Sequence, residues 1–239
     1  MIGDNVVSCG QVTSTNDIAR ELASGGCQDG TVVTASSQTK GRGRFDREWF
    51  SPEGPGIYLS ILIKDNIPTG SSPLLSFVSA LSVAVTVKNL TGLSPSIKWP
   101  NDVLVNSKKI AGILIEKSKG YYIVGIGVNL NNKNGQFPKE LSGKASSLLE
   151  ETGNIYDKDE FLSSLLRSFD LQYNDLINNG AAEIVRRTKE MSATLRSHLK
   201  IKTDGAVYEG KVIDIDGSGS LLLELADGKI ISIRSGEIL

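Results

Sequence analysis

The stretch "SSPLLSFVSALSVAVTVKNLTG", residues 71 to 92, constrains this chain more than any other. Serine opens it, Pro73 stands in the first turn where its missing N–H is not needed, and Gly92 closes it, so the pattern predicts a helix. That helix is apolar almost all round and has no face to offer water. It must be buried, and the natural cover is a sheet. Three β-rich runs precede it: residues 6 to 12, "TVVTASS" (31–37) and "GIYLSILI" (56–63). Four extended pieces follow it: "SIKW", "DVLVN", "KIAGILIEKS" and "YYIVGIGVNL". The short "NSKK" and "KG" links predict hairpins, so this part of the sheet is expected to be antiparallel.

Other helices bracket these strands. "TSTNDIARELASGG" offers Ser14 or Thr15 as a cap, Asp17 in the first turn, Ile18, Ala19, Leu22 and Ala23 on one face, and Gly25-Gly26 as a stop. Residues 157 to 179 carry Phe161, Leu165, Leu166, Phe169 and Tyr173 at helical spacing, and a shorter helix is expected at 181–190. After residue 197 the texture changes to short strands separated by Gly and Asp turns, the pattern of a minibarrel. So small a unit has little core and is expected to dock on the rest. The expected fold class is therefore α+β: a mixed β-sheet backed by helices over residues 1–195, and a small β-barrel over 196–239.

Charge narrows the function. Lys plus Arg total 26 against 27 for Asp plus Glu, so no global field recruits nucleic acid or a membrane, and any cationic site is local. Cys9 and Cys27 lack metal-ligand spacing, and "MIGDNVVSCG" lacks the order of a signal peptide. No uninterrupted apolar run approaches the roughly 20 residues that cross a bilayer. The expected location is cytoplasmic, with reduced thiols. His198 is the only histidine, so a multi-histidine metal site has no candidate.

One such local site is "KGRGRFDREW" (40–49), where Lys40, Arg42, Arg44 and Arg47 crowd around Asp46. Backbone amides freed by Gly41, Gly43, Gly54 and Gly56 can approach an anion closely, and arginines add bidentate donors. Phosphate and carboxylate are both candidate ligands, and a solvated surface loop is the plain alternative. No Walker A pattern occurs. A second constellation is "KWPNDVLVNSKKIAGILIE" (98–116), in which Lys98, Asp102, Lys108 and Lys109 would gather charge at one sheet end. Gly112 interrupts its strand as if something approached closely there. In "VGIGVNLN" (124–131), alternate glycines would make a smooth floor ending at Asn129; tight strand packing would also explain them. In Ser14-Thr15-Asn16, helix capping explains the residue types almost completely.

Taken in order, "STN" (14–16), "QTKGRGR" (38–44), "WFSPEGPGIYLS" (49–60), "KWPNDV" (98–103), "KKIAGIL" (108–114) and "GIGVNL" (125–130) resemble the biotin–protein ligases. The terminal "GKVIDIDGSGSL" looks like that family's small SH3-like domain. The resemblance implies a class II aminoacyl-tRNA synthetase-like sheet and a two-step reaction. ATP and biotin, with Mg²⁺, would give biotinyl-5′-AMP. Biotin would then pass to a lysine of the biotin carboxyl carrier protein or domain of a biotin-dependent carboxylase. It further implies roles for individual residues. Lys109 would bridge carboxylate and phosphate, Arg42 and Arg44 would neutralise them, and Asp102 would orient the attacking amine or help place the metal. Ser14, Thr15, Asn16 and Gln38 would hold the ureido ring with the Arg42 backbone, while Gly41 and Gly112 leave room for the bicycle. Trp49, Asn101 and Asn129 would serve the adenylate.

Two departures bear on these expectations. Asp46 stands where the family usually has glycine, and it is expected to point away from the anions, paired with Arg44 or Arg47. The family's N-terminal winged helix has no counterpart in these residues, so DNA repression is not expected; a homodimer is left open. Lipoate ligases and octanoyltransferases of the same fold, a non-catalytic biotin or nucleotide sensor, and a nucleic-acid-binding module are the competing readings.

Overall fold

A computed structural model describes residues 1–65, 72–203 and 205–239. The apolar stretch forms α2 (Ser72–Thr91); the serine expected to open it lies outside the described residues. By length and composition α2 could cross a membrane, yet 72% of its span is buried inside the protein. Phe77, Val78, Leu81, Ala84 and Val87 are all fully covered. It is a core helix.

Its cover is a seven-stranded sheet in the order β1-β2-β3-β7-β6-β5-β4. The strands are β1 (Val6–Val12), β2 (Val32–Gln38), β3 (Gly56–Lys64), β4 (Ser96–Lys98), β5 (Asp102–Val105), β6 (Lys108–Ser118) and β7 (Tyr121–Asn129). Among the described residues, β1 and β2 run parallel, joined by α1 (Thr15–Ser24), and the remaining neighbours are antiparallel, including the β5–β6 and β6–β7 pairs that the short links predict. Asn106-Ser107 and Lys119-Gly120 take positive φ at both central positions, the turn geometry that matches strand twist.

Period-2 alternation decides what each face of the sheet meets. Tyr122, Val124, Ile126 and Val128 of β7 join the core under α2. That layer is completed by α4 (Lys158–Asn179) and α5 (Ala181–Glu190), which pack against α2. Tyr121 and Ile123 face the other way and meet Ala19 and Ala23 of α1. Further along this second face stand Gly125, against Asn16 in the first turn of α1, and Gly127, which lies beyond α1 against Trp49. Both glycines line the cavity. The short helix α3 (Leu148–Thr152) and 3₁₀ turns at Asn134–Gln136 and Lys139–Leu141 were not anticipated.

The C-terminal strands β8 (His198–Lys202), β9 (Val207–Ile215), β10 (Leu221–Leu225), β11 (Ile230–Ile233) and β12 (Glu237–Ile238) form a five-stranded antiparallel SH3-like sheet. Ile201, Val212, Leu221, Leu223 and Ile233 share one core with the α2 layer. The indole N–H of Trp99 donates to the Gly219 carbonyl at 3.1 Å, tying this sheet to the turn after β4.

Candidate active site

A cavity of about 490 Å³ opens over the glycine face of β6 and β7. Its floor is a row of paired residues, Asp102 beside Gly112 and Gly112 beside Gly127. A side chain at Gly127 would collide with Trp49, and one at Gly112 would crowd it. A Cβ at Gly127 would lie 2.3 Å from the indole, and one at Gly112 would lie 3.0 Å from both Trp49 and Lys109. The glycines therefore permit close approach, as their alternation suggested. In this structure the group approaching is Trp49 itself. Its buried N–H has no hydrogen-bond partner.

Lys109 reaches over this floor. Its Nζ lies 2.7 Å from Asp102 Oδ1 and 5.2 Å from the centre of the Trp49 ring. The strand bulges between Val103 and Leu104, and residues 144–146 pair with the Lys109 backbone, which fixes where the side chain leaves. Lys98, Asp102 and Lys109 all line the cavity. Lys108 does not join them: it alternates away toward Glu151, at 3.5 Å. The Glu151 carboxyl is buried, which opposes its charge, but hydrogen bonds from Ser146 and Asn106 together with Lys108 hold it below the usual carboxylate range.

One end of the cavity is uncharged and polar. Ser14 caps α1 by accepting from the Asn16 N–H. Thr15 donates through both N–H and hydroxyl to Gln38 Oε1, at 2.8 and 3.2 Å, and Gln38 donates onward to Ser51 at 2.8 Å. Ser60 donates to Thr15 and Asn16. Gly41 lets the loop root close on Trp49 and Ser51, where a Cβ would sit 2.5 Å from the Trp49 carbonyl. At the opposite end Asn101 donates to the Ile113 carbonyl at 2.8 Å, and Asn129 to the Ser146 carbonyl at 3.0 Å.

Above lies the cationic loop. Phe45 and Asp46 both take left-handed backbone, with φ 57 and 56. The position where glycine was expected is therefore one that favours glycine. Asp46 is exposed, and the pairing expected with Arg44 or Arg47 is not found among the described residues. Arg47 pairs instead with Glu237 of β12, and Arg44 donates to Ser235 at 2.7 Å and to Asn101 at 3.4 Å. Burial pushes the Arg44 guanidinium below its ordinary range, against the pull of Asp102. Arg42 differs most from expectation. Its guanidinium is not free for substrate anions but forks onto Asp17 at 2.7 and 3.2 Å, with Glu116 3.6 Å away. That hydrogen-bonded pairing lowers the Asp17 carboxyl and raises Arg42. Neither Asp17 nor Glu116 was singled out as a site residue, and neither were Ser235 and Glu237.

Among the described residues, no group of three or more His, Cys, Asp or Glu could hold a metal. Of the three carboxylates that line the cavity, Asp102 and Glu237 are each paired with a cation, and Glu48 is exposed. The site does not fit a resident divalent ion. His198 is exposed, 3.8 Å from Glu209, and plays no part here.

The site is thus a mixed sheet with a glycine floor, Lys98, Lys109 and Lys144 in its lining, and an arginine loop above it. Residues 8–131 match the model of the Biotin/lipoate A/B protein ligase family, and 197–239 that of the biotin protein ligase C-terminal domain. The bifunctional ligase/repressor BirA of Bacillus spizizenii is 34% identical over 100% of this chain and 74% of its own length. The biotin–[acetyl-CoA-carboxylase] ligase of Mycobacterium tuberculosis is 31% identical over 95% of this chain and 86% of its own. The solved biotin protein ligase of Aquifex aeolicus, in complex with biotin and ATP, superposes with TM-score 0.89 at 32% identity, covering 99% of this chain and 98% of that one. The chain belongs to the biotin/lipoate A/B protein ligase family and is an enzyme of its biotin protein ligase branch.

Proposed function

We propose that this protein joins biotin and ATP into biotinyl-5′-AMP and transfers the biotinyl group to one lysine of a biotin carboxyl carrier domain. The observation that carries this is Lys109, whose ammonium stands over the glycine floor beside Asp102 and beneath the arginine loop. Adenylate formation brings a carboxylate against an α-phosphate. The main obstacle is repulsion between anions, and no protein nucleophile is needed. Lys109 and Arg44 supply preorganised positive charge where it builds, in a site that closure would dry. The Thr15, Gln38, Ser51 and Ser60 network gives the polar end donors and acceptors suited to a ureido ring. The unpartnered Trp49 N–H and the nearby Asn101 and Asn129 line the end where the adenylate would lie.

In the second step the carrier lysine must attack as a neutral amine, from an ordinary pKa of about 10.4. Asp102, once Lys109 has turned to the phosphate, is the carboxylate placed to orient it. Magnesium belongs with the phosphates of ATP as part of that substrate. Location in the cytoplasm is part of the same proposal, as is action without DNA. The Bacillus relative is named as a repressor too, and the proposal concerns the ligase activity alone.

Biotin-dependent release of pyrophosphate from MgATP tests the first step, with lipoate as the comparison. Release with biotin and little with lipoate is expected; the reverse preference would move the chain to the lipoate side of the family.

A further inference from the structure

We propose that Asp17 and Glu116 are positioning residues that hold the cationic loop over the cavity by gripping the Arg42 guanidinium. Arg42 then works as a tether, not as a ligand of substrate anions. The inference rests on the ligase reading above and deepens it.

Geometry carries the case. Asp17 receives Arg42 on both oxygens, at 2.7 and 3.2 Å, the fork-on-fork arrangement that fixes direction as well as distance. The same carboxylate is steadied by Thr13 at 2.9 Å and by Arg20 at 2.9 Å. Glu116 comes from β6, a hundred residues further along, and is held by Asn16 at 2.6 Å and Arg20 at 3.0 Å. Two arginines and two carboxylates thus sum to zero charge. A phosphate or carboxylate arriving at Arg42 would meet a neutral cluster and would have to displace a bidentate partner.

Arg44 is placed differently. Among the described residues its hydrogen-bond partners are the uncharged Asn101 and Ser235, so its charge stays available to the cavity. The anchor belongs to a packed element of the fold. Asp17 lies in the first turn of α1, whose Ala19 and Ala23 are packed on the sheet. An acid there is further favoured by the helix N-terminus. The loop is pinned at its root by the backbone N–H of Trp49, which donates to the Gly41 carbonyl at 2.9 Å, and Arg42 is the next residue out. A tether at that point sets the angle at which Arg44 and Trp49 cross the floor.

The two roles for Arg42 predict opposite behaviour when Asp17 loses its charge. The test uses the full chain with MgATP and biotin, measuring by rapid quench both adenylate formation and the rate at which biotinyl-AMP escapes into solvent. If wild type makes no adenylate, the ligase reading fails; the inference is judged only against a working wild type. With a tether, Asp17→Asn speeds escape of the adenylate by about three- to tenfold, the size expected of a charged hydrogen bond that is partly exposed. Asp17→Glu restores retention, and Arg42→Met combined with Asp17→Asn is no worse than Arg42→Met alone, because both cut the same link. Glu116→Gln weakens retention in the same direction. The proposal is overturned if Asp17→Asn holds the adenylate as well as or better than wild type, the result expected when the substitution frees an anion-binding arginine. Additive losses in the double variant would overturn it too.

Discussion

Lys109 is about one-third exposed and contributes little to the core, so Lys109→Ala should fold normally. Loss of one preorganised charge at the reacting phosphate is expected to slow adenylate formation by about 10²–10³-fold, or roughly 3–4 kcal/mol. Biotin-dependent pyrophosphate release measures this, and a near-normal rate would remove Lys109 from the chemistry. Asp46 gives the second prediction at this scale. Its backbone is left-handed, which costs an L-residue roughly 1–2 kcal/mol, while glycine adds unfolded-state freedom of similar size. Asp46→Gly should therefore leave the melting temperature nearly unchanged and retain biotinyl-AMP at least as well as wild type. Loss of activity would mean that the exposed carboxylate has a positive role. Single residues were also where sequence reading reached its limit. Lys109, Gly112 and Trp49 announced themselves through their neighbours in the chain. Asp17 read only as a first-turn helix acid, and Glu116 as one residue within a strand. Their meeting depends on a contact spanning a hundred positions, which leaves no local pattern.

At the scale of elements, the β7 floor is the most exacting piece. A methyl at Gly127 would lie 2.3 Å from the Trp49 indole, so Gly127→Ala must push the ring off the floor. Overpacking of that kind costs about 1–3 kcal/mol, and biotin binding followed by calorimetry should weaken about tenfold or more. A shift in tryptophan emission should accompany it; unchanged binding would show that the floor does not set the site. Strand and helix were legible here because alternation and helical spacing both act locally. The apolar α2 demanded a sheet, and the hairpin links demanded antiparallel neighbours. The short α3 and the 3₁₀ turns before it lack that signal: a single turn needs no amphipathic repeat, and α3 is tied down by the Leu149 N–H to the Leu130 carbonyl and by Glu150 accepting from the Asn134 N–H.

At the scale of the molecule, the C-terminal sheet is bound to the rest by a shared core and by Trp99. Trp99→Phe would leave the Gly219 carbonyl without its donor in a buried contact. The expected loss is about 1–2 kcal/mol, a drop of roughly 2–8 °C in melting temperature by calorimetry. No drop would mean that this bond does not secure the docking. The sequence texture anticipated a small β-unit but not its grip on the loop, since Ser235 and Glu237 meet Arg44 and Arg47 from the far end of the chain. The proposed outcome of these parts acting together is biotin moved onto a carrier. It is measured as the intact mass of a biotin carboxyl carrier domain after incubation with this protein, MgATP and biotin. One biotinyl group should be gained, requiring both ATP and biotin and vanishing when the carrier's acceptor lysine is replaced by arginine. A carrier that a known ligase modifies, but whose mass this protein leaves unchanged, would contradict the account.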